Sequence, residues 1–415
     1  MTTSLTSLSS VKAAQASPLQ ESPTVLTRPL PRVAVADDAR EASLVATVFL
    51  DAIAHNYRTL CQHADPTCTV APVLKANAYG LGMIPLAHHL ARSGAGHFFV
   101  ATIEEGLRLR AHGPVGCAIY VLNGLWRETM HAAADASLTP VLSTEEQVRG
   151  WRQVAHRLGY PLDCWLQVET GLNRLGLSPA KAASLLTTPA LLDGLNLKGI
   201  MSHLASSYQT RDPFNDEQRE RFQQIQRMAP ENARRSLANS GGLLLGNHFH
   251  YDMARIGRYL YGLVYQQTAQ HPALKQLQIP LELKARILQV SQLTKGDTVG
   301  YDQTFTATSN IRLATCSCGY GDGYPRSLSN KGVAKIEGHR VPIVGRISMD
   351  LMMVDVTEVP EDVMKRSSWV TLMGPTLSPT LVAHEADISP WEVITQLGKR
   401  ALFRYVDRNA TKASE

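Results

Sequence analysis

No apolar run in the sequence approaches the ~20 residues that a membrane-crossing helix needs, which excludes an integral membrane helix. Cysteine is scarce: Cys61, Cys68, Cys117, Cys164, Cys316 and Cys318 are the only six among 415 residues. So few in so long a chain form neither a disulfide framework nor a zinc pattern, and Cys316-Ser-Cys318 is too close for the usual metal pair. They are expected to be reduced thiols of a cytoplasmic protein, with no metal. Excess charge is small as well, at +5, and Lys and Arg are scattered, so nucleic-acid binding has little support. A slight positive excess suits anionic small molecules. Residues 1–43, rich in Ser, Thr, Pro and Ala, lack a secretory apolar core. They are expected to be a disordered leader, an organelle-targeting peptide being the alternative. Beyond residue 44 neither an internal repeat nor a low-complexity tract occurs.

What is present from Leu44 onward is regular alternation. Ala46–Leu50 has strand character, and 51–60 predicts a helix capped by Asp51. Short apolar runs follow at Val70–Lys75, Phe98–Thr102, Ala118–Leu122, Thr139–Leu142, Trp165–Glu169, Leu197–His203, Ser236–Ser240 and Met253–Ile256. Helical patterns separate them, including Ile103–Ala111, Thr144–Leu158, Pro179–Thr187 and Asn215–Met228, the last begun by Asn215. Eight strands alternating with helices predict a parallel (β/α)8 barrel over 44–276, with a doubly wound open sheet as competitor. A barrel would place functional groups at the C-terminal strand ends.

Residues 277–415 change grammar. Strand patterns at Glu282–Gln289, Asp297–Tyr301, Ile311–Cys316, Val333–Ile336, His339–Val344, Leu351–Val356 and Trp369–Leu372 are punctuated by turns rather than long helices. One helix is expected at Pro390–Arg400, with Ser389 as its cap. The fold class is therefore α/β plus β: an N-terminal (β/α)8 TIM-like barrel and a C-terminal β-strand-rich domain.

The stretch Ala71-Pro-Val-Leu-Lys75-Ala-Asn-Ala-Tyr79-Gly-Leu-Gly82 ends an apolar strand in a lone lysine, followed at once by turn residues. A desolvated lysine loses basicity and becomes an amine nucleophile or base near neutrality. On its own the stretch fits equally well a lysine that snorkels to water. Other polar residues gather at later strand ends: Glu169-Thr-Gly-Leu-Asn-Arg174, Ser202-His203, Asn239-Ser240 and Arg255-Ile-Gly257-Arg258.

Together with Gly300-Tyr301-Asp-Gln-Thr-Phe, Gly319-Tyr320-Gly-Asp-Gly-Tyr-Pro-Arg326 and Gly345-Arg-Ile-Ser-Met349-Asp350, these motifs resemble alanine racemases, fold-type III pyridoxal-phosphate enzymes. The resemblance runs from the neighbourhood of Val45 onward. It implies a homodimeric isomerase interconverting L- and D-alanine, supplying D-alanine for peptidoglycan or its catabolism. In such a dimer the C-terminal domain completes the partner subunit's site. Carried over residue by residue, Lys75 holds pyridoxal 5'-phosphate and is one catalytic base, and Tyr301 of the neighbouring chain is the other. Tyr79, Ser240, Gly257 and Arg258 meet the phosphate, and Asn239 orients the cofactor. His203 packs by the pyridine ring, and Arg255 meets its nitrogen. Arg174, Met349 and Asp350 bind substrate, while Tyr320 and Arg326 line the entrance.

Three positions depart from the family pattern. Gln167 replaces a lysine that many members carbamylate, so Arg174 is expected to be held by Gln167 or by an anion. Leu204-Ala-Ser-Ser-Tyr208 follows His203 where an acidic residue is common, and Lys399 stands near a corridor tyrosine. A serine or broad-specificity racemase is the nearest alternative. A decarboxylase of the same fold type and a non-catalytic pyridoxal-phosphate-binding protein are more distant ones. Arg255 opposes the first of these two and the long second domain opposes the other.

Overall fold

The computed structural model describes residues 42–264, 271–398 and 400–409. All but the last two residues of the expected leader, and Lys399, lie outside them. The first half carries β1 (Leu44–Phe49), β2 (Thr69–Pro72), β3 (His97–Val100), β4 (Ala118–Val121), β5 (Thr139–Leu142), β6 (Leu162–Gln167), β7 (Leu195–Met201), β8 (Arg234–Ser236) and β9 (Met253–Ile256). Strands β3 to β8 form a parallel sheet of six in chain order, and β2 pairs in parallel with β9. The eight expected runs overlap β2 to β9, although β2 stops at Pro72, before Lys75.

Alternation along these strands sorts side chains to two sides, because successive residues of a strand point to opposite faces. Ala71, Val73, Phe99, Tyr120, Val141, Trp165, Met201 and Met253 form one buried cluster. Their neighbours Val70, Leu74, Phe98, Val100, Ile119, Val121, Leu142, Leu166 and Ile200 belong to the larger core. That core includes the apolar side of helix Glu145–Leu158, where Val148, Trp151, Val154 and Ala155 recur at helical spacing. Caps fix where helices start. The Thr102 hydroxyl accepts from Glu105 N–H, with Glu105 answering as a capping box, and Ser178 caps Pro179–Thr187.

Two expected caps are different. Helix Leu50–His63 has Phe49 at its N-cap, and the Asp51 carboxylate instead accepts from Arg408 Nε at 2.8 Å. Helix Phe214–Gln226 has Pro213 at its cap. Asn215 is buried and donates its amide to Gln209 O at 3.0 Å, tying down the preceding loop.

The second half contains β10 (Leu281–Leu293), β11 (Thr298–Val299), β12 (Phe305–Thr306), β13 (Ile311–Cys316), β14 (Val333–Ile336), β15 (His339–Pro342), β16 (Met352–Asp355), β17 (Trp369–Met373) and β18 (Leu402–Val406). The long β10 organises an eight-stranded sheet by pairing with β1, β13 and β17. Strand β1 also runs parallel to β18, so residues 44–49 belong to this sheet rather than to the parallel unit expected to begin at 44. The expected helix to Arg400 ends at Thr395, and Ser389 makes no side-chain cap bond there. An unanticipated helix, Pro379–Ala386, is capped by Ser378.

Candidate active site

Lys75 begins a turn that the residue types do not announce. Ala76, Asn77, Ala78 and Tyr79 have φ of 52°, 55°, 56° and 54°, a left-handed helical turn. Each non-glycine residue there costs about 1–2 kcal/mol, so the surroundings must over-determine the shape. They do. Ala78 N–H donates to Leu74 O at 2.7 Å, Gly80 N–H to Ala76 O at 2.8 Å and Gly82 N–H to Asn77 O at 2.9 Å. The Asn77 side chain accepts from Met83 N–H at 3.0 Å, and Ala78 is fully buried. Four residues make about one helical turn, so Lys75 and Tyr79 face the same space.

That space is a cavity of about 600 Å³. Lys75, Tyr79, Arg174, His203, Asn239, Ser240, Arg255, Gly257 and Arg258 all line it, with Gln167, Tyr208, Trp391 and Thr395. Among the described residues no carboxylate lines it. Its field is therefore positive, and its charge demand is for an anion. Burial, with Arg174 and Arg258 nearby, lowers the Lys75 pKa below its ordinary 10.5, opposed by Glu105. Burial raises the Tyr79 phenol to about 12, so its hydroxyl remains a donor.

Arg255 is buried at 3% exposure, and its guanidinium is held by backbone and hydroxyl acceptors. It donates to Ser236 Oγ and to Ser202 O, the latter at 2.5 Å. Burial, and Arg174, push its pKa down to about 9, which leaves it protonated at neutrality. Arg255 Nη2 also faces His203 Nδ1 at 3.4 Å. On the other side of the imidazole, Asn239 Nδ2 faces Nε2 at 3.4 Å. Asn239 cannot turn its oxygen there, because Oδ1 accepts from Gly242 N–H at 3.0 Å and Ser207 Oγ at 2.7 Å. Donors thus flank both ring nitrogens. Burial and then Arg255 drive the His203 pKa well below 6.5.

Neutral His203 has a consequence for stability. Below pH 6.5 the unfolded chain takes up a proton that the folded chain refuses, so acidification costs stability. A His203→Gln variant is expected to lose less thermal stability than the parent between pH 6.5 and about 5. Equal losses in scanning calorimetry would contradict this.

Gly257 N–H donates to Ser240 Oγ at 3.0 Å. A Cβ on Gly257 would lie 2.4 Å from the Tyr79 hydroxyl, so Tyr79 can approach residue 257 this closely only because it is glycine. Tyr79, Ser240 and Gly257 thus form one side of the cavity, a cradle that carries two hydroxyls.

The five second-domain candidates lie elsewhere in the chain. Tyr301 was expected at a strand end, but β11 stops at Val299. Gly300 (φ 75°), Asp302 (57°) and Gln303 (51°) make a turn that leaves Tyr301 71% exposed. Tyr320, Met349 and Asp350 are brought together. Tyr320 N–H donates to Ser348 O at 3.0 Å, and Gly321 N–H to Met349 O at 2.9 Å. Arg400, unforeseen in the sequence, joins Asp322 at 2.8 Å and Asp350 at 2.6 Å. The Arg326 guanidinium lies 6.0 Å from the Tyr320 ring centre.

Gln167 does not hold Arg174. Its Nε2 donates to Leu175 O at 2.8 Å, bracing the backbone of the loop that carries Arg174, whose side chain is exposed. Trp391 was also missed. It heads a short helix with no periodic signal, and nothing local places it beside residue 258.

A parallel α/β unit whose strand ends bring a desolvated lysine together with three arginines at one cavity points to the class: an enzyme built around an activated amine and an anionic ligand. Comparison with known proteins gives the particular kind. Residues 48–264 match the model of the alanine racemase N-terminal domain, and 280–405 that of the C-terminal domain. Alanine racemase of Brucella suis is 38% identical over 381 residues, spanning 89% of this chain and 96% of that one. The enzyme of Rickettsia canadensis is 38% identical over 356 residues, 86% of this chain and 97% of its own. The crystal structure of alanine racemase from Bartonella henselae with covalently bound pyridoxal phosphate superposes with a TM-score of 0.81 at 36% identity, covering 88% of this chain and 100% of that one. This chain belongs to the alanine racemase family.

Proposed function

We infer that this protein is a pyridoxal-phosphate-dependent isomerase that interconverts L- and D-alanine. The observation that carries the reading is the convergence of Lys75, the Tyr79–Ser240–Gly257 cradle and buried Arg255 on one cavity with no carboxylate lining it among the described residues. These groups fit pyridoxal phosphate. Lys75 would hold it covalently, and Tyr79, Ser240 and the N–H groups of Gly257 and Arg258 would take its phosphate, the Gly257 N–H giving up its bond to Ser240 Oγ. Arg255 would meet the ring nitrogen, with His203 and Asn239 alongside. When bound, the cofactor supplies an electron-withdrawing ring that acidifies the substrate's α-proton. Every other task belongs to the chain. Arg255 has only donors and stays charged, so it cannot take up a proton from the ring side. That separates this site from one with a carboxylate partner, which would suit decarboxylation. Lys75 Nζ removes or returns a proton on one face, and Arg174 steers the substrate carboxylate.

Inversion needs a second group on the far face. The reading assigns this to Tyr301 of a second copy in a homodimer, with Met349 and Asp350 binding substrate there and Tyr320 and Arg326 at the entrance. Support comes from the exposure of Tyr301 (71%) and Met349 (54%) on the chain alone. The domains are then 44–276 and 277–415, with β1 contributed to the second sheet. The parallel unit is read as one closed (β/α)8 barrel. The Val73–Phe99 bridge and the 2.9 Å bond from Arg255 N–H to Ala238 O lie across its two seams. Six free cysteines suit the cytoplasm. No described helix is long and apolar enough to cross a membrane.

Polarimetry tests the reaction: purified protein with pyridoxal phosphate is expected to take L-alanine to zero rotation. Unchanged rotation would sink the reading. Two further outcomes follow from the geometry. Gly257→Ala pushes a methyl group against Tyr79 and should weaken pyridoxal-phosphate binding by about tenfold or more, measured by titrating stripped protein. Unchanged affinity would remove the cradle. Because the Lys75 pKa is lowered, capture of the cofactor by stripped protein should speed up with rising pH and level off below pH 10.5. A profile still rising at 10.5 would mean an ordinary lysine.

A further inference from the structure

Arg258 follows the cradle glycine and opens the single turn Arg258–Tyr261. Its guanidinium carbon lies 3.9 Å from the Tyr208 ring centre and 3.6 Å from that of Trp391, and all three line the cavity. Tyr208 comes from the loop after β7. Trp391 comes from helix Pro390–Thr395, between β17 and β18 of the second sheet. Two aromatic faces attract a planar cation and restrict its rotamers without neutralising it. The charge is felt where it matters, because Arg258 contributes to lowering the Lys75 pKa and opposes the burial that raises that of Tyr79.

The geometry points to Tyr208 and Trp391 as positioning residues that fix the Arg258 side chain as a positive charge for the cofactor phosphate. The second domain of a chain thereby governs cofactor retention in that same chain, besides any contribution to a partner. This rests on the pyridoxal-phosphate reading of the cavity. It also gives Arg258 a side-chain role distinct from its backbone N–H, and gives Tyr208 one unrelated to an acidic gate. Trp391 closes the arrangement, since its helix packs on the lysine turn: a Cβ on Gly80 would lie 2.4 Å from Ile394 O.

The test titrates the full-length chain, stripped of cofactor, with pyridoxal phosphate and in parallel with pyridoxal, which lacks the phosphate. Arg258→Met is expected to weaken pyridoxal-phosphate binding by about tenfold and pyridoxal binding little. Trp391→Leu and Tyr208→Leu should each weaken pyridoxal-phosphate binding by about threefold, with Trp391→Phe restoring most of the loss. In the Arg258→Met background, Trp391→Leu should add nothing, since the group it positions is gone. Parent protein that binds neither compound would overturn the cofactor reading and this proposal together. Parent protein that prefers pyridoxal phosphate, with leucine variants that match it, would overturn the proposal alone. So would leucine variants that weaken both compounds equally, or effects that add in the double variant.

Discussion

Lys75→Ala is expected to abolish racemisation and to eliminate the absorbance of lysine-bound cofactor together. The expectation combines two losses. The amine is the sole lysine lining the cavity among the described residues, so nothing else there can replace the covalent attachment. It is also one of the two bases, and removal of a positioned base alone costs roughly 10²–10⁴ in rate. The fold should survive, because the left-handed turn is held by backbone bonds and Asn77 rather than by the Lys75 side chain. An intact circular dichroism spectrum with activity more than about 10⁴-fold down is the predicted result. A variant that keeps both absorbance and activity would remove Lys75 from the mechanism.

Tyr301→Phe should produce a different defect. It deletes one hydroxyl from an exposed ring on a turn, so folding should be little affected. The equilibrium between enantiomers in water is unity, so a catalyst cannot speed one direction of net conversion alone. Net racemisation should therefore fall by roughly 10²–10⁴ from both sides. Exchange of the α-proton with deuterium is not bound in this way. The enantiomer whose proton faces Lys75 can lose and regain it on that face, whereas the other depends on residue 301. One enantiomer should keep exchanging in Tyr301→Phe and the other should stop, as followed by NMR in deuterated water. Equal, small effects on both would end the two-base assignment.

Much of this site was legible because its groups sit where strands end, and strands announce themselves by alternation. Lys75, His203, Arg255 and Gly257 lie at or just past the ends of apolar runs, and all line one cavity. The left-handed turn after Lys75 was not legible. Its alanines have no preference for positive φ, and only packing and the bonds made by Asn77 and Gly82 impose it. Long-range partners were hidden for a related reason. Asp51 has the composition of a cap, yet its partner Arg408 lies at the far end of the chain, on no local pattern. Trp391 and Arg400 were absorbed into an expected helix, Pro390–Arg400, that ends at Thr395. Gln167 was expected to accept from the Arg174 side chain through its amide oxygen, but it instead donates its amide N–H to the backbone carbonyl of Leu175.

The central claim is that one working site takes Lys75 from one chain and Tyr301 from another. Lys75→Ala and Tyr301→Phe proteins, each nearly inactive alone, can be unfolded together in equal amounts, refolded and assayed with L-alanine. Random pairing of two subunits makes half of the dimers mixed, each with one intact site and one doubly altered site. Activity should recover to about a quarter of the parent value. If both residues served a site within one chain, mixing would restore nothing, and activity that stays at the level of the separate variants would contradict the account.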